Sequence, residues 1–130
     1  MPFTAPATTG LPIVTLRDDG IVCVDYGQSP VMSGPALMDI LKQRLALCPA
    51  PTPVMAKVTG RPTIDGTLPA AVRSPDYCQQ TLAVAYVTDS WYVRKLIHTH
   101  LTIDAPPYPM FVFATEEEAA TCLSRYLPGK

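Results

Sequence analysis

A chain of 130 residues is long enough to bury one substantial core and too short for two, so a single domain is expected. Apolar residues at 48% against 16% charged exclude a disordered chain, and a formal charge of −1 gives no whole-molecule field to attract nucleic acid or anionic lipid. No apolar run approaches the ~20 residues of a membrane helix, and MPFTAPATTG lacks both the basic and the apolar parts of a secretion signal, so a cytoplasmic protein without integral membrane association is expected.

Residues 1–10 read as a flexible terminus. Ile13 to Leu16 and Gly20 to Asp25 are extended stretches flanking RDDG, where Asp19 and Gly20 suit the positive φ of a tight turn. An antiparallel hairpin is predicted there. Ser33 is placed to cap a helix with Pro35 in its first turn, and Leu37, Ile40, Leu41 and Leu45 give that helix an apolar side as far as Cys48, where PAPTP stops it. Pro53 to Val58 is the next strand. GRPTIDGTLP reads as a loop, followed by a short helix over Pro69 to Val72 that Ser74 and Pro75 interrupt.

Thr81 to Val87 is a strand, and Ser90 caps a helix in which Trp91, Arg94, Lys95 and His98 alternate with Val93, Leu96 and Ile97. DAPPYP then leads into the most explicit stretch of the chain. Met110 to Phe113 is an unbroken apolar run, as in a strand covered on both faces. Thr115 follows as an N-cap with Glu118 three residues on, and Glu116 to Glu118 place negative charge at the positive end of the helix dipole. Ala119, Cys122, Leu123 and Tyr126 supply the apolar face. Fifteen prolines, more than twice the ~5% average usage, cluster in the connections between these elements and so punctuate the chain.

The order is a hairpin followed by alternating helices and strands. Each helical connection is long enough for a right-handed crossover, which makes the later strands parallel. An α/β domain follows, with one mixed sheet of about five strands and an antiparallel edge.

The succession DGIVCVDYG, a Ser33-capped helix, a strand, TLAVAYVTDS entering the Trp91 helix, and PPYPMFVFATEEEAATCLSRYL resembles the STAS-like (SEC14-like) proteins of bacteria, whose fold is that of the sporulation anti-sigma-factor antagonist. The likeness covers residues 13–127 in element order and is most specific over the last two units. It implies a single STAS-like domain spanning residues 1–130. In phosphorylated antagonists a strand ends in an aspartate followed by a serine that opens a helix and is modified by a kinase. Here the strand ends in AKVTGRPTIDG, with Lys57 near the acid and Thr59 near the serine, so Thr59 and Thr63 are the candidate phosphorylation sites.

In a sheet of parallel strands, ligands gather beyond the carboxyl ends. Those ends carry Lys57, Thr59 and Arg61; Thr88, Asp89 and Ser90; and Ala114 and Thr115, with Arg94 one turn into a helix. Lys57, Thr59, Arg61, Ser90, Arg94 and Thr115 therefore form the candidate site for an anionic group, because helix N-termini offer free N–H donors and the basic side chains offer charge. The simpler reading is that Ser90 and Thr115 are ordinary caps. His98 and His100 stand two apart on a helix and face different sides, so no metal site is expected. His100 is placed at the helix end. Cys23, Cys48, Cys78 and Cys122 have no CxxC spacing and read as buried thiols. Trp91, Tyr92, Tyr108 and Tyr126 are the aromatics expected to be partly exposed.

No motif of nucleophilic, phosphate-cradling or zinc chemistry is present. The reading is a non-catalytic regulatory or interaction module without a cofactor, a homodimer that docks a regulatory protein partner or a small anion at the carboxyl edge of the sheet. The alternative is a carrier or enzyme for a small-molecule or lipid-type ligand, with a pocket between helix and sheet.

Overall fold

A computed structural model describes residues 12–103 and 106–127. The terminus expected to be flexible, residues 1–10, lies outside them. Strands β1 (Ile13–Leu16) and β2 (Val22–Gln28) form the predicted antiparallel hairpin, Ile13 opposite Asp25 and Leu16 opposite Val22. Its turn differs from expectation. Gly20 alone takes a positive φ, +93°, whereas the Asp19 side chain accepts from the Ile21 N–H at 3.1 Å and pairs with Arg17 at 3.1 Å. The second strand also outruns its expected end at Asp25. Gly27, at φ +80°, makes a bulge held by its N–H to Asp25 Oδ1 at 2.9 Å, and pairing resumes at Gln28 opposite Thr59. The glycine is here a kink within a strand.

The chain continues as β3 (Val31–Met32), α1 (Gly34–Leu47), β4 (Thr52–Thr59), β5 (Thr63–Ile64), α2 (Leu68–Val72), α3 (Pro75–Gln80), β6 (Thr81–Val87), α4 (Trp91–Ile103), β7 (Met110–Phe113) and α5 (Glu116–Leu123), closed by a 3₁₀ turn over Ser124–Tyr126. Two features correct the sequence reading. The GRPTIDGTLP stretch is not wholly loop: β5 pairs in parallel with β3, Val31 beside Thr63 and Met32 beside Ile64. Ser74 and Pro75 do not merely interrupt a helix but start another, since the Tyr77 N–H donates to Ser74 Oγ and Pro75 occupies the tolerant first turn. The helix of His98 and His100 runs on to Ile103 and carries His100 in its last turn, near the end where it is expected. Among the described residues no helix is long and apolar enough to cross a membrane.

Five strands lie in the order β1-β2-β4-β6-β7, antiparallel at the hairpin and parallel thereafter. Each parallel strand is added on the same side of the one before. Crossovers of a single hand then place all connecting helices on one face of the sheet. The packing agrees with this. Val22, Val24, Val54, Ala56, Val84 and Tyr86 point to a core shared with α1, α2, α3 and α4. The alternate residues Met55, Ala83, Ala85 and Val87 point to a second core, closed by Ala119 and Leu123 of α5. The closing helix starts as expected, with the Glu118 N–H donating to Thr115 Oγ1 and that hydroxyl bonded to the Glu118 carboxylate, both at 3.2 Å.

Strand β7 is an edge strand, and all four of its residues are only half-buried. Its unbroken apolar run reflects contact with both cores rather than full cover: Met110 and Val112 reach one, Phe111 and Phe113 the other. The cysteines are free but half-buried, not buried. Tyr108 is buried, against expectation, because its hydroxyl finds the Val72 carbonyl at 3.1 Å and its ring lies 5.8 Å from that of Tyr77.

The most enclosed polar side chain is Arg44 of α1, only 2% exposed. Its guanidinium donates to Thr81 Oγ1 at 3.0 Å, to Thr52 Oγ1 at 3.5 Å and to the Gln80 carbonyl, and it lies over the Tyr77 ring at 5.3 Å. These partners sit where β4 and β6 begin, so one side chain joins α1 to the amino ends of both central strands. Its stem fills core volume at the same time. Arg44→Ala is expected to lower the unfolding free energy by about 2–5 kcal/mol, as for truncation of a large buried side chain. Urea denaturation monitored by circular dichroism measures this, and a change below about 0.5 kcal/mol, the range of ordinary surface substitutions, would show that Arg44 does not join these elements.

Candidate functional site

Because β2, β4, β6 and β7 all run the same way, their carboxyl ends lie along one rim. The loops leaving them are tied together from below. The Ser29 N–H donates to the Thr59 carbonyl at 2.7 Å, the Arg61 N–H to Ser29 Oγ at 3.3 Å, and the Thr63 N–H to the Pro30 carbonyl at 2.8 Å. Ser29 holds a φ of +47° and Gly60 one of +74°. The loop after β4 thus follows the loop after β2 closely. Farther along, the Gly34 N–H donates to Thr67 Oγ1 at 2.9 Å, and Thr67 in turn bonds Asp65 through both its hydroxyl and its N–H. Those two bonds hold the Asp65 carboxyl below its ordinary value.

The six predicted site residues all reach this rim, but in two groups. On the α5 side, Lys57 Nζ lies 3.3 Å from a Glu116 carboxylate oxygen, and Thr115 caps the helix that carries Glu116. Burial pulls the Lys57 ammonium down, but the hydrogen bond and charge of Glu116 outweigh it and leave its pKa raised. On the α4 side, Ser90 Oγ accepts from the Val93 N–H at 3.3 Å, and Arg94 spends a guanidinium N–H on the Thr88 carbonyl at 2.9 Å. Arg61 is exposed and stacks over the Tyr92 ring at 5.2 Å. Thr59 and Thr63 are both exposed, and both stand in strands rather than at a helix start.

Four of the six are therefore already engaged. Lys57 is neutralised by Glu116, Arg94 is fixed on a carbonyl, and Ser90 and Thr115 fill the capping positions where an anion would bind. The free feature is aromatic. Trp91 is 67% exposed and Tyr92 50%, in the first turn of α4, and Val31 of β3 is exposed as well. The exposure of Trp91 and Tyr92 agrees with the reading from sequence, which passes over Ser29. The legible sign of Ser29 was the turn sequence GQSP.

A family model for a domain of unknown function, DUF7793, matches residues 14–127, and the chain belongs to that family. No curated protein and no solved structure matches the chain.

Gly60 is the residue on which the rim loops close. A Cβ there would lie 2.6 Å from Gln28 Nε2 and from Ser29 Oγ and 3.1 Å from the Ser29 nitrogen, at a φ that side chains avoid. Gly60→Ala is expected to destabilise the protein by about 1–3 kcal/mol through backbone strain, and to shift the amide resonances of residues 28–32. Unchanged resonances in that segment would mean the two loops are not coupled.

Proposed function

We propose that this protein is a non-catalytic interaction module of the STAS-like kind, cytoplasmic, which docks a regulatory protein at the carboxyl rim of its sheet. The observation that carries this reading is the exposed aromatic pair Trp91 and Tyr92, with Arg61 stacked over the Tyr92 ring. Trp, Tyr and Arg are the residue types that dominate binding energy at protein interfaces. A Trp at two-thirds exposure leaves a large apolar surface in water, and a partner that covers it gains free energy in proportion to that area. A small anion is the weaker occupant, since Lys57 and Arg94 are engaged and the caps of α4 and α5 are filled.

The test compares tagged wild-type chain with the double variant Arg61→Ala/Trp91→Ala recovered from native cells. Surface truncation changes stability by no more than about 0.5 kcal/mol, whereas loss of a hot spot worth about 2 kcal/mol or more depletes the bound partner roughly thirtyfold. Equal recovery of the same partner by both would refute docking at this rim. Titration with inorganic phosphate distinguishes the other occupant: amide shifts centred on Lys57, Thr59, Arg61, Ser90, Arg94 and Thr115 would favour the anion.

We also propose a homodimer formed at the β1 edge, where Ile13 and Leu16 are exposed on a strand paired on one side only. Sedimentation velocity is expected to show a dimer that Leu16→Lys dissociates. A wild-type monomer at tens of micromolar would contradict it.

A further inference from the structure

The helical face of the sheet is not completely closed. Helices α2 and α3 have five and six residues, too few to cover β6 and β7 alongside α4. Between α2 and α4 a cavity of about 60 Å³ remains, open on one side to solvent. Its apolar walls include Met32 of β3, Ile64 of β5, Leu68 and Val72 of α2, Ile97 of α4 and Met110 of β7. The lining is apolar except for Tyr86 of β6 and His100 of α4.

Tyr86 is the informative residue. It is 8% exposed, yet its hydroxyl takes none of the hydrogen bonds formed among the described residues. Tyr108, in the same core, bonds its hydroxyl to the Val72 carbonyl. Burial raises the Tyr86 pKa well above the ordinary phenol value, so it is a neutral O–H able to donate and to accept. Water reaches this hydroxyl through the open side of the cavity, and an occupant that supplies an oxygen takes that water's place.

We infer that this cavity is a binding site for a small uncharged amphiphile, a short branched aliphatic chain bearing one oxygen, of the size of a four-carbon alcohol. The size follows from the volume. A cavity of about 150 Å³ holds benzene, so 60 Å³ with an open mouth accommodates a chain shorter than an aromatic ring. The absence of charge follows from the walls, which apart from Tyr86 and His100 are apolar, because an ionised group against methionine, leucine, isoleucine and valine would lose most of its hydration. In the bound state the aliphatic end lies against Leu68, Val72 and Ile97, and the oxygen accepts from the Tyr86 hydroxyl. This site is separate from the Trp91–Tyr92 rim and holds whether or not a protein docks there.

The test uses the whole chain with ¹³C-labelled methyl groups, titrated with 2-methyl-1-propanol and, separately, exposed to pressurised xenon as a purely apolar probe. The alcohol is expected to shift the methyl signals of Met32, Ile64, Leu68, Val72, Ile97 and Met110 and to leave those of the α5 core unmoved. Tyr86→Phe keeps the ring and removes the oxygen. It is expected to weaken the alcohol about fivefold or more while leaving the xenon shifts as they are. Equal alcohol affinity in both proteins would overturn the role of Tyr86 and with it the assigned ligand class. Failure of either probe to reach these methyl groups in the wild-type chain would overturn the site itself.

Discussion

The handedness of the βα crossover is the constraint on which the rest of this structure depends. When every new parallel strand is added on the same side, a fixed hand sends each connecting helix to the same face. Two consequences follow directly. The carboxyl ends of β2, β4, β6 and β7 meet along one rim, which brings the Ser29, Gly60, Ser90 and Thr115 turns together. The opposite face receives no crossover helix, and α5, the last helix of the described chain, covers β4, β6 and β7 there through Ala119 and Leu123. The Lys57–Glu116 pair marks the place where this late helix meets the rim.

One face thus has four helices to pack, and they are unequal. Helix α1 has fourteen residues and α4 thirteen, but α2 and α3 are short pieces separated by Ser74 and Pro75. The structure answers this inequality in two ways. Near the start of β4 and β6 the long side chain of Arg44 occupies the space, its charge balanced by hydroxyls, a carbonyl and an aromatic face rather than by a carboxylate. Burial lowers the Arg44 pKa, which is the expected sign for a cation held in this way. Toward β7 no such side chain is available, and the cavity beneath Tyr86 remains.

Much of the fold was legible because strong local signals agreed with one another. The apolar runs of β4, β6 and β7, the Ser33, Ser90 and Thr115 caps and the helical spacing of Ala119 and Leu123 each pointed to the element that forms. What escaped notice was shorter than a period or carried an ambiguous residue. Two-residue strands have no periodicity to read, so β3 has no counterpart in the reading from sequence and β5 falls within a stretch that reads as loop. The strand expected to end at Asp25 continues through a bulge at Gly27, and Ser74-Pro75 reads as an interruption but serves as a cap with proline in the first turn. The candidate site was legible in position and not in state. Strand ends can be located from sequence, whereas the engagement of Lys57 with Glu116 and of Arg94 with the Thr88 carbonyl depends on which helix covers which face. The exposure of Trp91 and Tyr92 agrees with the reading from sequence, whereas the stacking of Arg61 on Tyr92 depends on where the loop after β4 runs.

The central claim is that the rim, and within it the Arg61–Trp91–Tyr92 group, is where this protein meets its partner. Hydrogen–deuterium exchange of the chain, alone and in complex with the protein recovered from native cells, tests it most directly. Protection is predicted over residues 29–32, 60–66 and 88–96, with α1 and the outer face of α5 unchanged. Protection concentrated on α1 or on α5, with the rim exchanging freely in both states, would contradict it.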